Sequence, residues 1–251
     1  EKERVEKGKE KLVAMIKKIE KKQLGTAYHT WIQSLFHFSH TNYHQPSNTF
    51  GVLRVINDDI LHAGSGHDLH KHKDVEILTY ILEGDLTHTP RQHEIKTLHR
   101  GDLYYMSAGG GIDHGEFNWG DTSVRMIQIW IKPNEKGLTP NVQYASFNSN
   151  HAKNQWHLIA SPTETTPITI YQEAYIWLIE LEAFKQTQFD IKKGRQAYLI
   201  QLEGSSVIND EEMASRDGME IYEDRIEIKT HEQSQFILIE MALASDNHQI
   251  E

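Results

Sequence analysis

The chain has 251 residues, a formal net charge of −10 and a pI near 5.9, and it contains no cysteine. The acidic balance argues against a nucleic-acid-binding protein, because neutralising phosphates requires a basic surface. The missing thiols exclude disulfides, thiolate metal sites and cysteine nucleophiles, and they fit a reducing cytoplasm. No apolar run approaches the roughly 18 residues of a membrane helix, and the N-terminus shows no signal-peptide core. We therefore expect a cytoplasmic protein without membrane contact.

The first half of the chain opens with a charged stretch and continues as β-structure. Residues 1–14 lack β-branched alternation, which predicts a short helical or disordered N-terminal arm. From Trp31 onward, short β-rich segments alternate with turn residues, a rhythm typical of a sandwich or barrel. We expect strands at 51–56, 76–82, 102–107 and 124–131, with the polar run 57–59 forming a turn after the first of them. The Pro- and Gly-containing stretch 132–137 ends this half.

The second half repeats the pattern, with strands expected at 168–171, 174–181, 196–202, 220–222, 225–228 and 235–241. Each half contains an apolar strand that ends in Glu-Gly, at Gly84 and at Gly204, as expected of a duplicated barrel. Twelve of the 16 histidines precede residue 115, so any histidine chemistry belongs to the first half. We expect an N-terminal extension at 1–14, a metal-binding barrel at 15–135 and a second barrel without metal ligands at 136–251.

Two pairs of ligand-type residues stand out: His70 and His72, then His114 and Glu116. Period-two spacing places both members of each pair on one face of a strand. Three imidazoles and a carboxylate, brought together from two strands, make a half-open site for Fe, Ni, Mn, Cu or Zn. The alternative is ordinary surface histidines in a His-rich chain, but two such pairs favour a metal site.

Two features near these pairs have competing interpretations. Glu76 has the same strand parity as the first two histidines, so it either orients an imidazole or is an ordinary surface or inter-strand glutamate. The glycines at 109–111 either form a phosphate loop or make a tight turn that delivers His114. The turn is favoured, because no helix or Lys-Ser/Thr follows.

The remaining candidates are three strand aromatics and two polar residues close to the ligands in sequence. Tyr104, Tyr105 and Trp130 either line a pocket for a flat ligand or pack in the core. We expect His67 and Asp113 to be solvent-facing loop residues.

The segments 53–59, 70–84 and 101–116 resemble the pirin family, a branch of the cupins in which two β-barrels are joined in one chain. The similarity runs from about Met15 to Leu243, and it points to bacterial pirin-like proteins described as quercetin 2,3-dioxygenases. It implies an all-β fold of two cupin barrels of the double-stranded β-helix or jelly-roll type. Transferred by position, it implies the metal ligands His70, His72, His114 and Glu116.

Three positions differ from the residues that are usual in pirins or in ordinary cupins. Lys71 stands where many pirins have proline, which places a positive charge beside the first two ligands. Gly115 replaces the small residue usual between the last two ligands. Ordinary cupins carry a glutamate ligand at the position of Ile77, so Glu116 has to supply the carboxylate, as in pirins.

The resemblance implies a metal-dependent dioxygenase that opens the ring of flavonols such as quercetin with O2 and releases CO. The cofactor would be one divalent transition metal, iron first, with nickel, manganese, copper or zinc as alternatives. Glu116 would act as the base that accepts the substrate hydroxyl proton. The alternative is a non-enzymatic metal-binding regulator with protein partners, since some pirins are described as transcription cofactors. An acidic chain without a basic cluster makes that role, and direct nucleic-acid binding, less attractive.

Overall fold

The computed structural model describes residues 16–38, 49–147, 153–163 and 165–243, which form 22 β-strands and one 3-10 turn. The predicted N-terminal arm at 1–14 lies outside these residues. Within the described part of the chain, no helix is both long and apolar enough to cross a membrane. The expectation of an all-β protein is confirmed.

The strands up to residue 146 are β1 (Ile16–Ile19), β2 (Gly25–Tyr28), β3 (Ile32–Phe38), β4 (Leu53–Leu61), β5 (Ser65–His72), β6 (Glu76–Glu83), β7 (Leu86–Pro90), β8 (Lys96–Leu98), β9 (Asp102–Ser107), β10 (Ile112–Asn118), β11 (Val124–Ile131) and β12 (Asn141–Ser146). The 3-10 turn, Lys21–Gln23, lies between β1 and β2.

The later strands are β13 (His157–Ser161), β14 (Ile168–Thr169), β15 (Ala174–Leu181), β16 (Gln186–Asp190), β17 (Arg195–Glu203), β18 (Ser205–Ile208), β19 (Glu211–Ala214), β20 (Gly218–Tyr222), β21 (Arg225–Thr230) and β22 (Ser234–Ala242).

Each half consists of a seven-stranded and a four-stranded sheet. The first large sheet has the order β12-β9-β6-β11-β4-β3-β2, and the first small sheet has the order β5-β10-β7-β8. The second large sheet is β1-β20-β17-β22-β15-β13-β14, and the second small sheet is β16-β21-β18-β19. Neighbouring strands are antiparallel except for β13 and β14, which are parallel. The two barrels therefore have the same construction.

Alternating side chains divide the interior into three hydrophobic clusters. One fills the first barrel and includes Ile77, Ile81 and Met126. A second fills the other barrel, and the largest lies between the two large sheets, where Leu78 and Tyr80 of β6 join residues of β15, β17 and β22. Because successive residues of β6 face opposite sides, this strand is buried on both faces, and its residues 77–82 are apolar except for Thr79.

Two strands join the sheet of the other half. β1 pairs with β20, with Ile16 opposite Ile221, although it lies in the sequence of the expected first domain. β12 pairs with β9, although it follows the expected boundary at 135/136. That boundary stays a prediction, and the exchanged strands tie the halves together.

The polar run 57–59 is part of β4, so the turn expected there is wrong. Asp58 is fully buried and binds Arg125 at 2.7 Å and Arg216 of the second half at 3.3 Å. Asp59 lies in the first barrel and is also buried. A strand can carry a buried carboxylate when a positively charged partner from elsewhere in the chain neutralises it. For Asp58 these partners are Arg125 and Arg216, which are distant in the sequence, so local sequence patterns do not reveal them.

The repeated Glu-Gly phrase marks the same structural position in both barrels. β6 ends at Glu83 and β17 ends at Glu203, and each following glycine has a positive φ, +75° for Gly84 and +78° for Gly204. A Cβ on Gly84 would lie 2.6 Å from the carbonyl oxygen of Ser123. Both the backbone angle and the close approach require glycine.

Candidate metal centre

The two predicted ligand pairs lie on adjacent strands of the first small sheet. β5 and β10 are antiparallel neighbours, and His114 stands directly opposite His70. One ring nitrogen from each of His70, His72 and His114 lies within 4.8 Å of the others. Among the described residues, this is the one group of three or more His, Asp or Glu side chains placed to hold a metal.

The hydrogen bonds and burial of the three imidazoles leave lone pairs free for a cation. Nδ1 of His70 lies 2.8 Å from the carbonyl oxygen of Asp68; a carbonyl only accepts, so Nδ1 carries the proton and Nε2 is free. Burial lowers the pKa of His72 to about 4 and that of His114 to about 3, so both are neutral near pH 7. Nε2 of His114 is buried without a hydrogen-bond partner. This donor set fits a divalent transition metal.

Glu116 lies on β10, two residues beyond His114, and its side chain is buried. Its carboxylate accepts hydrogen bonds from the Tyr104 hydroxyl and, at 3.1 Å, from Nε2 of Gln128. The three-histidine group forms without it. Glu116 is therefore a buried, hydrogen-bonded carboxylate beside the imidazoles, and its role as fourth ligand stays a prediction.

His67 shares the inward face of β5 with the predicted ligands. The register between β5 and β10 shifts between His114 and Glu116, so that His67 stands opposite Glu116. The centroid of its ring lies 5.6 Å from that of His70 and 4.5 Å from that of Trp31, which it meets edge to face. Burial lowers its pKa. The expectation of a solvent-facing loop residue is wrong, because the bulge restores the inward direction that strict alternation from His70 denies to position 67.

His88 is a second site residue that the sequence did not reveal. It lies on β7, opposite Glu116, and is completely buried. Its Nε2 lies 2.9 Å from Nδ1 of His114, and its ring stacks on Tyr104 with centroids 4.0 Å apart. Burial lowers its pKa to about 3. A lone histidine in a polar segment carries no spacing signal, so only the pairing of β7 with β10 identifies it.

The three aromatic candidates separate in the structure. Tyr104 lies beside Glu116, and the Trp130 ring makes an edge contact with His72 at 4.9 Å, while its Nε1 donates to Gln128 at 3.0 Å. Tyr105 points to the other side of its strand and donates to Glu76 at 2.6 Å. Thus Tyr104 and Trp130 border the candidate centre, whereas Tyr105 lies in the interface between the barrels.

Glu76 belongs to that interface. It is completely buried and also accepts the backbone N–H groups of Tyr171 at 2.8 Å and Gln172 at 2.9 Å. The interpretation as an inter-strand glutamate is supported, because Tyr105 on the adjacent strand β9 donates to it. The imidazole-orienting role and the surface position are wrong, because its other hydrogen bonds come from two amides of the second half and it is completely buried. Glu76 does not share a face with His70 and His72, because a turn at Asp74, with φ +50°, separates β5 from β6.

The glycine run forms the tight turn between β9 and β10, as expected. Gly109 has φ +44°, and a Cβ there would lie 1.9 Å from the carbonyl oxygen of Leu138. The N–H of Gly111 donates to the carbonyl of Ala108 at 2.8 Å, closing the turn three residues before His114. Asp113 lies in β10 and not in a loop, so that expectation is wrong; it is partly exposed and lies 3.6 Å from Arg91.

Comparison with known proteins gives one consistent family. The Pirin family matches residues 17–131, and the family of the quercetinase C-terminal cupin domain matches residues 158–241. A quercetin 2,3-dioxygenase of Escherichia coli (strain K12) is 34% identical over 221 residues, which cover 86% of this chain and 94% of that protein.

Solved structures agree with this result. The crystal structure of YhhW from Escherichia coli has a TM-score of 0.85 at 32% identity and covers 92% of this chain and 100% of its own. The bacterial pirin YhhW in complex with nickel(II) has a TM-score of 0.84 at 32% identity, with coverages of 91% and 100%.

Proposed function

This chain belongs to the pirin family, and from that premise we propose that it is a metal-dependent dioxygenase that opens the ring of flavonols such as quercetin with O2 and releases CO. The observation that carries the proposal is the convergence of His70, His72 and His114 within 4.8 Å, beside the buried carboxylate of Glu116. The name of the Escherichia coli relative supports this reaction class. Because one fold hosts many activities, the side chains of the site, and not the fold, support this reaction.

In this proposal the three imidazoles hold the metal through their unprotonated nitrogens, and Glu116 is the fourth donor. When bound, the metal supplies Lewis-acid chemistry that lowers the pKa of a substrate hydroxyl. Glu116 accepts the proton of that hydroxyl on its carboxylate. Tyr104 and Gln128 donate hydrogen bonds to the same carboxylate and so hold it in one orientation.

The walls of the site suit a flat aromatic ligand. Trp130 packs edge-on against His72, and Trp31 packs against His67, so apolar rings border the imidazoles. Both rings are partly exposed, which leaves their faces available for contact with a substrate. We assign to them the apolar contacts with the flavonol, in the manner of other ligand sites in which a few polar groups fix orientation.

The test is turnover of metal-free protein after separate loading with Fe(II), Ni(II), Mn(II), Cu(II) or Zn(II). With at least one of these metals, iron being the first choice and nickel the second, we expect quercetin-dependent O2 uptake matched by CO release. Metal analysis should give about one ion per chain. Glu116→Gln should abolish turnover, whereas the matched change Glu135→Gln at an exposed position should not. Absence of O2 uptake with all five metals would refute the enzyme and favour the metal-binding regulator.

A further inference from the structure

A chain of hydrogen bonds runs from the backbone through two side chains to the predicted ligand His114. The Tyr144 hydroxyl donates to the carbonyl oxygen of Glu94 at 3.0 Å. The same hydroxyl lies 3.0 Å from Nδ1 of His88, and Nε2 of His88 lies 2.9 Å from Nδ1 of His114. The chain ends at Nε2 of His114, which is buried and has no partner among the described residues.

Counting protons along this chain gives it one direction. The single proton of Tyr144 is used on Glu94, whose carbonyl can only accept, so the hydroxyl oxygen has to accept from Nδ1 of His88. A neutral imidazole carries one N–H. Nε2 of His88 is therefore an acceptor, and Nδ1–H of His114 donates to it. His114 is left with its lone pair on Nε2, the nitrogen that has no other partner.

This chain of hydrogen bonds from Tyr144 through His88 to His114, the relay, is also held rigidly in place. His88 is completely buried and stacks on Tyr104 at an interplanar angle of 10°. Tyr144 lies on β12, which pairs with β9 through its whole length, and Lys96 places its ammonium 5.1 Å from the centre of the Tyr144 ring. The stack on Tyr104 and the hydrogen bonds at both ring nitrogens hold the buried His88 ring in one orientation, so the packing sets the direction of the hydrogen bonds.

We propose that His88 and Tyr144 are positioning residues that fix the tautomer and the ring orientation of His114 and thereby set the affinity of the centre for its metal. The proposal rests on the metal site proposed above. Partners that orient a metal-bound imidazole through its second nitrogen contribute roughly 10- to 100-fold to metal affinity in other proteins. His70 is oriented differently, by the carbonyl of Asp68, so the relay acts on one of the three imidazoles.

The experiment compares three variants with the wild type in the full-length protein. His88→Phe keeps an aromatic ring against Tyr104 but removes the acceptor for His114. His88→Gln loses the ring but offers an amide oxygen in place of Nε2. Tyr144→Phe removes one hydroxyl, and Tyr80→Phe is its matched control, because Tyr80 is buried between the barrels and its hydroxyl binds Gln235 at 2.7 Å.

Two measurements report on the relay. Calorimetric titration with Ni(II) gives the affinity, and 15N shifts of the histidine rings in the metal-free protein give the tautomer of His114. We expect His88→Phe to weaken Ni(II) binding by roughly 10- to 100-fold and to lose the pure Nδ1–H form. His88→Gln should recover much of the affinity, Tyr144→Phe should lose less than His88→Phe, and Tyr80→Phe should match the wild type.

The proposal is overturned if His88→Phe binds Ni(II) more tightly than His88→Gln. If His88 acts only through packing, Phe is the better substitute and Gln the worse one, and the tautomer of His114 does not change in either. Equal Ni(II) affinity in all folded variants, judged by their melting temperatures, also refutes the relay. Failure of the wild-type protein to bind Ni(II) would instead refute the metal site itself, which keeps the two claims distinguishable.

Discussion

Asp59 provides a test of the electrostatics inside the first barrel. The residue is 4% exposed, and its Oδ1 has no hydrogen-bond partner among the described residues. Burial raises its pKa to about 7, and the nearby charges of Glu116 and Asp58 act in the same direction, whereas a hydrogen bond from Ser34 opposes them. The charge of the neighbouring Asp58 is compensated by Arg125 and Arg216.

The shift fixes the sign and size of a pH effect on stability. The pKa rises from an ordinary value of 3.8 to about 7, and each unit corresponds to about 1.4 kcal/mol. The folded state holds the proton more tightly than the unfolded state, so the contribution of Asp59 is fully present below pH 4 and is lost as the pH rises through 7. The loss amounts to about 4 kcal/mol between pH 4 and pH 8.

Asp59→Asn removes this titration while nearly preserving the shape of the side chain. The measurement is urea unfolding of both proteins in the presence of a chelator at half-unit steps from pH 4 to pH 8.5. The stability of the variant relative to wild type should rise by about 4 kcal/mol across that range. Asp121→Asn, at an exposed position, is the control and should show little pH-dependent difference. A difference between Asp59→Asn and wild type that stays constant with pH would refute the reasoning.

Three further outcomes are expected. His72→Ala and Glu116→Ala should stay folded by circular dichroism but lose bound metal in elemental analysis, because the apolar strands and not the ligands form the core; retained metal in both would place the site elsewhere. Asp58→Ala should lower the free energy of urea unfolding by about 3–5 kcal/mol, since it leaves two partly buried arginines without their common carboxylate, and a loss below 1 kcal/mol would contradict the role given to these ion pairs. A chain starting at Met15 keeps β1 and all predicted ligands, so its melting temperature and metal content should equal those of the full chain; a large drop in either would make residues 1–14 integral to the domain.

The sequence predicts most of the fold, because the strands of both barrels carry dense β-branched and apolar residues between Gly-containing turns. The repeated Glu-Gly dipeptide predicts the duplication, since the glycine has a positive φ in both barrels. The failure at 57–59 has a specific cause. Three consecutive polar residues indicate a turn only while their partners are unknown, and the decisive partner, Arg216, is about 160 residues away along the chain.

For the candidate site as well, some residues are predictable from local sequence and others depend on distant partners. Period-two spacing places His70 and His72 on one face of β5, and the regular pairing of β5 with β10 at this point brings His114 opposite His70. The spacing does not predict His67, because a bulge in the pairing of β5 with β10 turns its side chain inward. It does not predict His88 either, because the hydrogen bond between His88 and His114 joins two different strands. Local periodicity therefore predicts the residues that would touch the metal, whereas the residues that orient them depend on register.

The second barrel contributes to the centre through two fixed points. One is Glu76, which begins β6 just after the turn that follows His72 and is anchored by amides of the second half. The other is Gln143 of β12, whose amide exchanges two hydrogen bonds with the backbone of Thr169, at 2.7 and 2.9 Å. The next residue, Tyr144, faces the opposite side of the strand and begins the relay to His88. Because well-packed interiors transmit strain rather than absorb it, these contacts of the second barrel stabilise the start of β6, which follows the predicted ligand His72, and the position of Tyr144 on β12.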